Sequence, residues 1–304
     1  MSYSSVAAIA QQWGISERTV RNYCAQGKID GAILVGKTWN IPADAARPHR
    51  THKRSHPTLL ERLQEEKEAR VSGGIYHKVQ IDLTYNSNHI EGSRLTHDQT
   101  RYIFETNTIG FSGQAVNVDD IVETNNHFRC IDLIIELAKR PITEKLIKQL
   151  HGLLKSGTSD SRRDWFAVGD YKKLPNEVGG RMTSAPENVA ADIKKLLDEY
   201  KASSSKSLED LIDFHVRFER IHPFQDGNGR IGRLLLFKEC LRYDIVPFII
   251  SDDLKTFYFR GLGEWDDLRG YLMDTCLTAQ ERFKKILEYY LIDCYGAFIE
   301  KCSS

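Results

Sequence analysis

Residues 221–233 read IHPFQDGNGRIGR. His222 can exchange a proton near neutral pH. Asp226 can hold a hard divalent cation through oxygen. Gly227, Asn228 and Gly229 let successive backbone N–H groups converge on an anion. Arg230 and Arg233 stand three apart, so on a helix they share a face and can both grip phosphoryl oxygens. A base, a metal ligand, an anion nest and two cationic clamps are the parts that phosphoryl or nucleotidyl transfer requires.

The flanking sequence predicts where these groups sit. Ser207 caps a segment whose Leu208, Leu211, Ile212 and Phe218 recur at helical spacing, so it reads as a helix delivering His222 at its end. Pro223 then interrupts it. From Arg230 onward, the apolar run 234–237 predicts a buried second helix, which places the nest at a helix N-terminus that favours anions. A rival arrangement uses His215, Glu219 and His222 at i, i+4 and i+7 as a zinc-binding face. It lacks the order of a zinc peptidase motif, and Pro223 turns His222 away, so His215 reads as a core histidine.

The run also resembles the Fic signature, H-x-F-x-[DE]-G-N-G-R-x-x-R. It is matched by His222, Phe224, Asp226, Gly227, Asn228, Gly229, Arg230 and Arg233. The resemblance implies transfer of AMP from ATP to a Ser, Thr or Tyr hydroxyl of a target protein, the chain itself included. By the same resemblance His222 deprotonates the hydroxyl, and Phe224 anchors the loop. Asp226 binds Mg²⁺ bridging the α- and β-phosphates. Gly227, Asn228, Gly229 and Arg230 hold the phosphates, and Arg233 holds the γ-phosphate.

Three further segments extend the likeness, which covers roughly residues 83–276. Residues 87–92, SNHIEG, match the Fic inhibitory pattern [ST]-x-x-x-E-[GN] on a helix around 83–96. The implied role of Glu91 is to pair with Arg233 and fill the γ-phosphate space, with Ser87 fixing the helix. The same glutamate, orienting a water, would allow AMP removal as a secondary activity. Residues 172–184 resemble the Fic flap, a hairpin that takes target backbone and places Val178, Gly179, Gly180 and Arg181 nearest ATP. Tyr258 and Phe259 fall where the family sets an aromatic pair beside adenine, although Glu264 or Asp266 stands where a polar amide is expected.

The 304 residues allow two domains. Basic and acidic residues balance at 42 each, but residues 1–56 carry eight Lys/Arg against three Asp/Glu and the remainder 34 against 39. A basic head on an acidic body suggests a nucleic-acid-facing module. Residues 1–46 fit that reading: a short helix ending at Gly14, a Ser16-capped helix from Glu17 to Gly27, and apolar runs 32–35 and 39–41 around Gly36-Lys37 as a wing. The unit resembles the excisionase and MerR winged helix-turn-helix. Arg18, Thr19 and Arg21 would face the DNA groove, and Lys37 would meet phosphate. The rival reading is a module for protein contacts.

Residues 47–58 form a basic linker, and its His49, His52 and His56 read as solvated rather than metal-binding. Six scattered cysteines without a C-x-x-C pair read as reduced thiols. No apolar leader or membrane-length run is present, so the chain reads as cytoplasmic. The expected fold is mainly α: a helical Fic domain over 59–304 with a small β-hairpin flap, preceded by the winged helix-turn-helix. Fic proteins often form homodimers, but no apolar patch marks such a surface. The alternatives are a DNA-binding regulator whose Fic domain senses nucleotide, and transfer of another moiety. Intact His222 argues against the sensor, and Gly229 against the family's phosphotransferase variant, which carries lysine there.

Overall fold

The computed structural model describes residues 2–36, 38–48, 57–110, 113 and 115–290. Lys37, His49, His52, His56, Cys294 and Cys302 lie outside the described residues. The chain divides into two units, Met1–Arg54 and Ser55–Ser304.

The first unit contains β1 (Tyr3–Ser5), α1 (Val6–Trp13), α2 (Glu17–Ala25), β2 (Ile33–Val35) and β3 (Thr38–Pro42). Gly14 ends α1 in the left-handed conformation, and the Ser16 hydroxyl accepts from Thr19 N–H to start α2. The strands form an antiparallel sheet in the order β1-β3-β2. Strand β1 is too short to show alternation in sequence; its pairing with β3, from Tyr3 opposite Pro42 to Ser5 opposite Asn40, is what makes it a strand. Val6, Ile9, Val20, Cys24, Ile29 and Ile41 close a small core.

The second unit is helical: α3 (Leu59–Ala69), α4 (Ile75–Ile90), α5 (His97–Thr106), α6 (Val118–Glu136), α7 (Glu144–Lys155), α8 (Val189–Lys201), α9 (Leu208–Ile221), α10 (Asn228–Arg242), α11 (Lys255–Gly263) and α12 (Arg269–Tyr289). A hairpin of β4 (Glu177–Val178) and β5 (Arg181–Met182) interrupts the helices between α7 and α8. The centre is α10, whose residues from Asn228 to Leu241 are all buried. Such a helix needs cover on every side; α4, α6, α7 and α9 provide it.

Two boundaries differ from the sequence reading. The helix expected around 83–96 runs from Ile75 to Ile90, and Glu91 is its C-cap. Its buried face mixes Ile75, Val79 and Leu83 with Gln80, Thr84, Ser87 and Asn88, which hides the helical period. Residues 277–304, beyond the family likeness, read as a final helix; the last described helix starts at Arg269 instead. Cys24, Cys130, Cys240 and Cys276 are buried free thiols. Among the described residues no helix is long and apolar enough to cross a membrane.

Candidate active site

Helix α9 ends where the sequence places its break. The Ser207 hydroxyl accepts from Asp210 N–H while the Asp210 carboxylate accepts from Ser207 N–H, a reciprocal cap. At the far end His222 takes the left-handed conformation, with φ 51°, as the C-cap. That turn takes His222 out of the helical run that carries His215 and Glu219. The ring Nδ1 lies 3.2 Å from the Glu219 carbonyl. A carbonyl only accepts, so Nδ1 carries the proton and Nε2 is the free basic nitrogen. Burial lowers the pKa of His222, and the Lys172 charge lowers it further, which keeps the ring neutral and able to accept a proton.

The loop after His222 is held from inside. Phe224 is fully buried and stacks face to face on His151, with centroids 3.9 Å apart. Asn228 donates to the Phe224 carbonyl and accepts from its N–H, both at 2.8 Å. The Asn228 side chain is thus spent on the loop, which leaves its backbone N–H for the anion nest. Gly227 then starts α10 with φ 84°, a conformation glycine adopts without strain. The first N–H groups of α10 have no partner within the helix by geometry.

Glu91 stands at that helix start. A Cβ on Gly229 would fall 2.3 Å from Glu91 Oε1, so only glycine lets the carboxylate come this close. Arg233 Nη2 donates to Glu91 Oε1 at 2.7 Å and to the Ser87 carbonyl at 2.9 Å, and its Nε donates to Ser87 Oγ at 3.1 Å. Burial alone would make this guanidinium easier to deprotonate, but the Glu91 charge outweighs it and raises the pKa. Helix α4, which ends at Glu91, is pinned to α6 by Thr84 against His127 at 2.9 Å and by Asn88 donating to Thr124 at 3.2 Å.

Arg230 does not share this arrangement, although it stands three residues away. Its guanidinium is buried and pairs with Glu123 on α6 and, at 3.2 Å, with Asp226. It is therefore a brace for Asp226 rather than an open phosphate clamp. Lys155 completes the brace, pairing with Glu123 and with Asp226 Oδ2 at 2.6 Å. Glu123 and Lys155 are the residues the sequence reading missed. Neither lies in a motif, and only the packing of α6 and α7 against α10 brings them in.

Asp226 suits the role of a metal ligand. Burial would raise its pKa, but Arg230 and Lys155 override that and hold it below the usual carboxylate range. Both cations contact Oδ2, while the side chain remains 46% exposed. One carboxylate facing outward fits Mg²⁺, which takes few protein ligands and completes its shell with phosphate and water. Among the described residues no group of three or more His, Cys, Asp or Glu side chains is placed to hold a metal without such help.

The flap region forms its hairpin, with Gly179 and Gly180 both at positive φ in the two-residue turn. Val178, Gly179, Gly180 and Arg181 are exposed at its tip. Tyr258 requires a correction. It is 1% exposed, and its hydroxyl lies 2.6 Å from His215 Nε2, so its ring offers no open stacking face. Phe259, 45% exposed, is the open member of that pair.

In the first unit Arg18 and Arg21 are exposed on α2. Arg21 pairs with Glu17 at 2.6 Å, and the Thr19 hydroxyl pairs with Ser16 at 2.9 Å. Strand β2 exposes Ile33, Leu34 and Val35, an apolar edge of the sheet.

Comparison with known proteins places the second unit. Residues 141–239 match the Fic/DOC family. This Fic-matched span runs from just before α7 into α10 and includes the whole 222–233 loop. A protein adenylyltransferase Fic from Drosophila willistoni is 29% identical over 199 residues, covering 62% of this chain and 38% of the relative. The counterpart from Drosophila mojavensis is also 29% identical, at 62% and 37%. The chain thus spans well under half the length of these curated relatives. A Fic domain containing signaling protein from Bacteroides thetaiotaomicron is 27% identical, with a TM-score of 0.57 over 77% of this chain and 93% of that one. Fic-1 from C. elegans, 19% identical, shares the fold with a TM-score of 0.60 over 76% and 71%.

Proposed function

We propose that the second unit is a Mg²⁺-dependent protein adenylyltransferase, restrained by its own Glu91. The carrying observation is the meeting of a base, a deprotonated carboxylate and an anion-binding helix start within one loop of the Fic-matched region. His222 Nε2 would take the proton from a target hydroxyl. The hydroxyl oxygen would bond the α-phosphorus of ATP as the bond to the β-phosphate oxygen breaks, releasing pyrophosphate. Asp226 would hold Mg²⁺, which when bound offsets phosphate charge; the α10 N–H groups would receive phosphate oxygens. Arg233 would hold the γ-phosphate in place of Glu91. The flap would receive the target by strand pairing, and Phe259 would lie beside the base.

The test is intact-mass measurement of the full chain after incubation with ATP and Mg²⁺. An AMP adduct is expected, with Asp226→Ala losing both the adduct and the Mg²⁺ dependence of ATP affinity by calorimetry. Unmodified protein under conditions where ATP binds would favour a nucleotide sensor. An adduct of another mass would name a different transferred group.

For the first unit we propose duplex DNA as partner, with Arg18 and Arg21 on phosphate; a surface pair such as Arg21–Glu17 is weak and open to exchange. Binding to genomic fragments should fall steeply with salt, and Arg18→Ala and Arg21→Ala should weaken it. No binding at low salt would instead point to protein contacts through the exposed Ile33–Val35 edge.

A further inference from the structure

Lys172 is a buried lysine to which the proposed chemistry assigns no task. It is 3% exposed. Its ammonium donates to Asn176 Oδ1 at 2.7 Å, Thr183 Oγ1 at 2.6 Å and the Ile221 carbonyl at 3.4 Å. Three N–H donors thus meet three neutral acceptors. Among the described residues Lys172 makes no ion pair. A buried lysine usually pairs with a carboxylate, because an isolated charge is costly to desolvate.

The placement of those acceptors gives this unpaired charge a use. Asn176 and Thr183 flank the hairpin, one on each side of its strands. The Ile221 carbonyl belongs to the peptide leading directly into His222. Lys172 N–H also donates to the Pro223 carbonyl at 2.9 Å, Asn176 Nδ2 donates to the Phe224 carbonyl at 3.1 Å, and Leu174 N–H donates to the Gln225 side chain at 3.2 Å. Four contacts therefore join the flap to residues 221–225, and the Lys172 ammonium is the only charged group among them.

We propose that Lys172 is a positioning residue: it bolts the flap hairpin to the loop that bears His222 and sets an uncompensated positive charge beside the base. This rests on the adenylyltransferase reading and adds to it a link between the element that receives the target and the group that deprotonates it. The charged groups facing His222 are Lys172, which disfavours its protonation, and Glu91 and Asp226, which favour it. Removing the Lys172 charge takes away the cation that disfavours protonation and leaves Glu91 and Asp226 in place, so the His222 pKa should rise. Lys172 itself titrates low, at about 8, because burial penalises its charge. Above that pH the neutral amine has lost one donor, and both the bolt and the repulsion weaken together.

The experiment is an NMR titration of the His222 ring in the full chain, assigned by comparison with His222→Ala. Lys172→Met and Lys172→Gln should each move the His222 midpoint to higher pH, and Lys172→Arg should leave it near wild type. A midpoint unmoved in a folded neutral variant overturns the proposal, since a merely structural lysine changes melting temperature without changing that titration. A second measurement needs no variant. Amide-exchange protection across residues 176–183 of the wild type should fall as pH passes above about 8; protection that holds steady overturns the bolt. Neither measurement involves ATP, so failure to form an AMP adduct would sink the transferase reading and leave this test standing.

Discussion

His222→Ala is expected to cut AMP incorporation by roughly 10²–10⁴-fold while ATP still binds. The two effects separate because the groups proposed to hold phosphate belong to α10 and the group proposed to take the proton stands at the end of α9. The His222 ring makes one hydrogen bond, Nδ1 to the Glu219 carbonyl of α9, and none to the loop, so its loss leaves the ties of Phe224, Asn228 and Asp226 in place. Its backbone sits at φ 51°, where alanine is strained and asparagine is better tolerated. His222→Asn therefore accompanies His222→Ala: it lacks the base and suits the turn. Both should lose turnover with little change in calorimetric ATP affinity. Wild-type incorporation in either variant would remove His222 from the role of base. The lowered His222 pKa also predicts the shape of the pH profile. The base must be neutral, so turnover falls on the acid side, with its midpoint displaced below that of an ordinary histidine.

The sequence reveals the site's local parts because they are encoded locally. The Ser207 cap, the Pro223 break and the glycines at the start of α10 are each settled within a few residues, by hydrogen bonding, missing donors or permitted φ. The Glu91–Arg233 meeting spans 142 positions. Spacing alone would not reveal it; it was legible only because SNHIEG and the transfer loop resemble two parts of one family pattern. Where tertiary partners decide a side chain's exposure, neither local physics nor the family pattern is enough. Arg230 looked like a second clamp because a three-residue spacing is geometrically sufficient, but Glu123 and Lys155, one turn of packing away, claim its neighbourhood. Tyr258 falls where the family sets an aromatic residue beside adenine, but the buried His215 already holds its hydroxyl. In both cases a tertiary partner with no sequence signature decided the orientation of the side chain.

Glu91→Gly is expected to raise AMP transfer tenfold or more, equivalent to about 1.4 kcal/mol in barrier. The argument is one of occupancy. Arg233 donates Nε and one Nη2 hydrogen to Ser87 and the other Nη2 hydrogen to Glu91, so the carboxylate occupies a direction in which the guanidinium could meet an incoming phosphate. Glu91 Oε1 also fills the space that a Cβ on Gly229 would take, beside the helix start that would receive oxygen anions. With the carboxylate in place, a triphosphate must bind around a like charge, and its α-phosphorus is held out of line with the attacking hydroxyl. Ser87 stays when Glu91 goes, so the guanidinium remains oriented and only its open position changes. Arg233→Ala should cancel the gain, because both substitutions act on one interaction and their effects cannot add. Glu91→Gln separates the two contributions: it keeps the bulk against Gly229 and removes the charge. The measurement is radiolabelled AMP incorporation by wild type, each single variant and the Glu91→Gly/Arg233→Ala double variant, with melting curves to exclude unfolding. If Glu91→Gly transfers no faster than wild type, the 2.7 Å contact is a structural tie between α4 and α10 and not a brake.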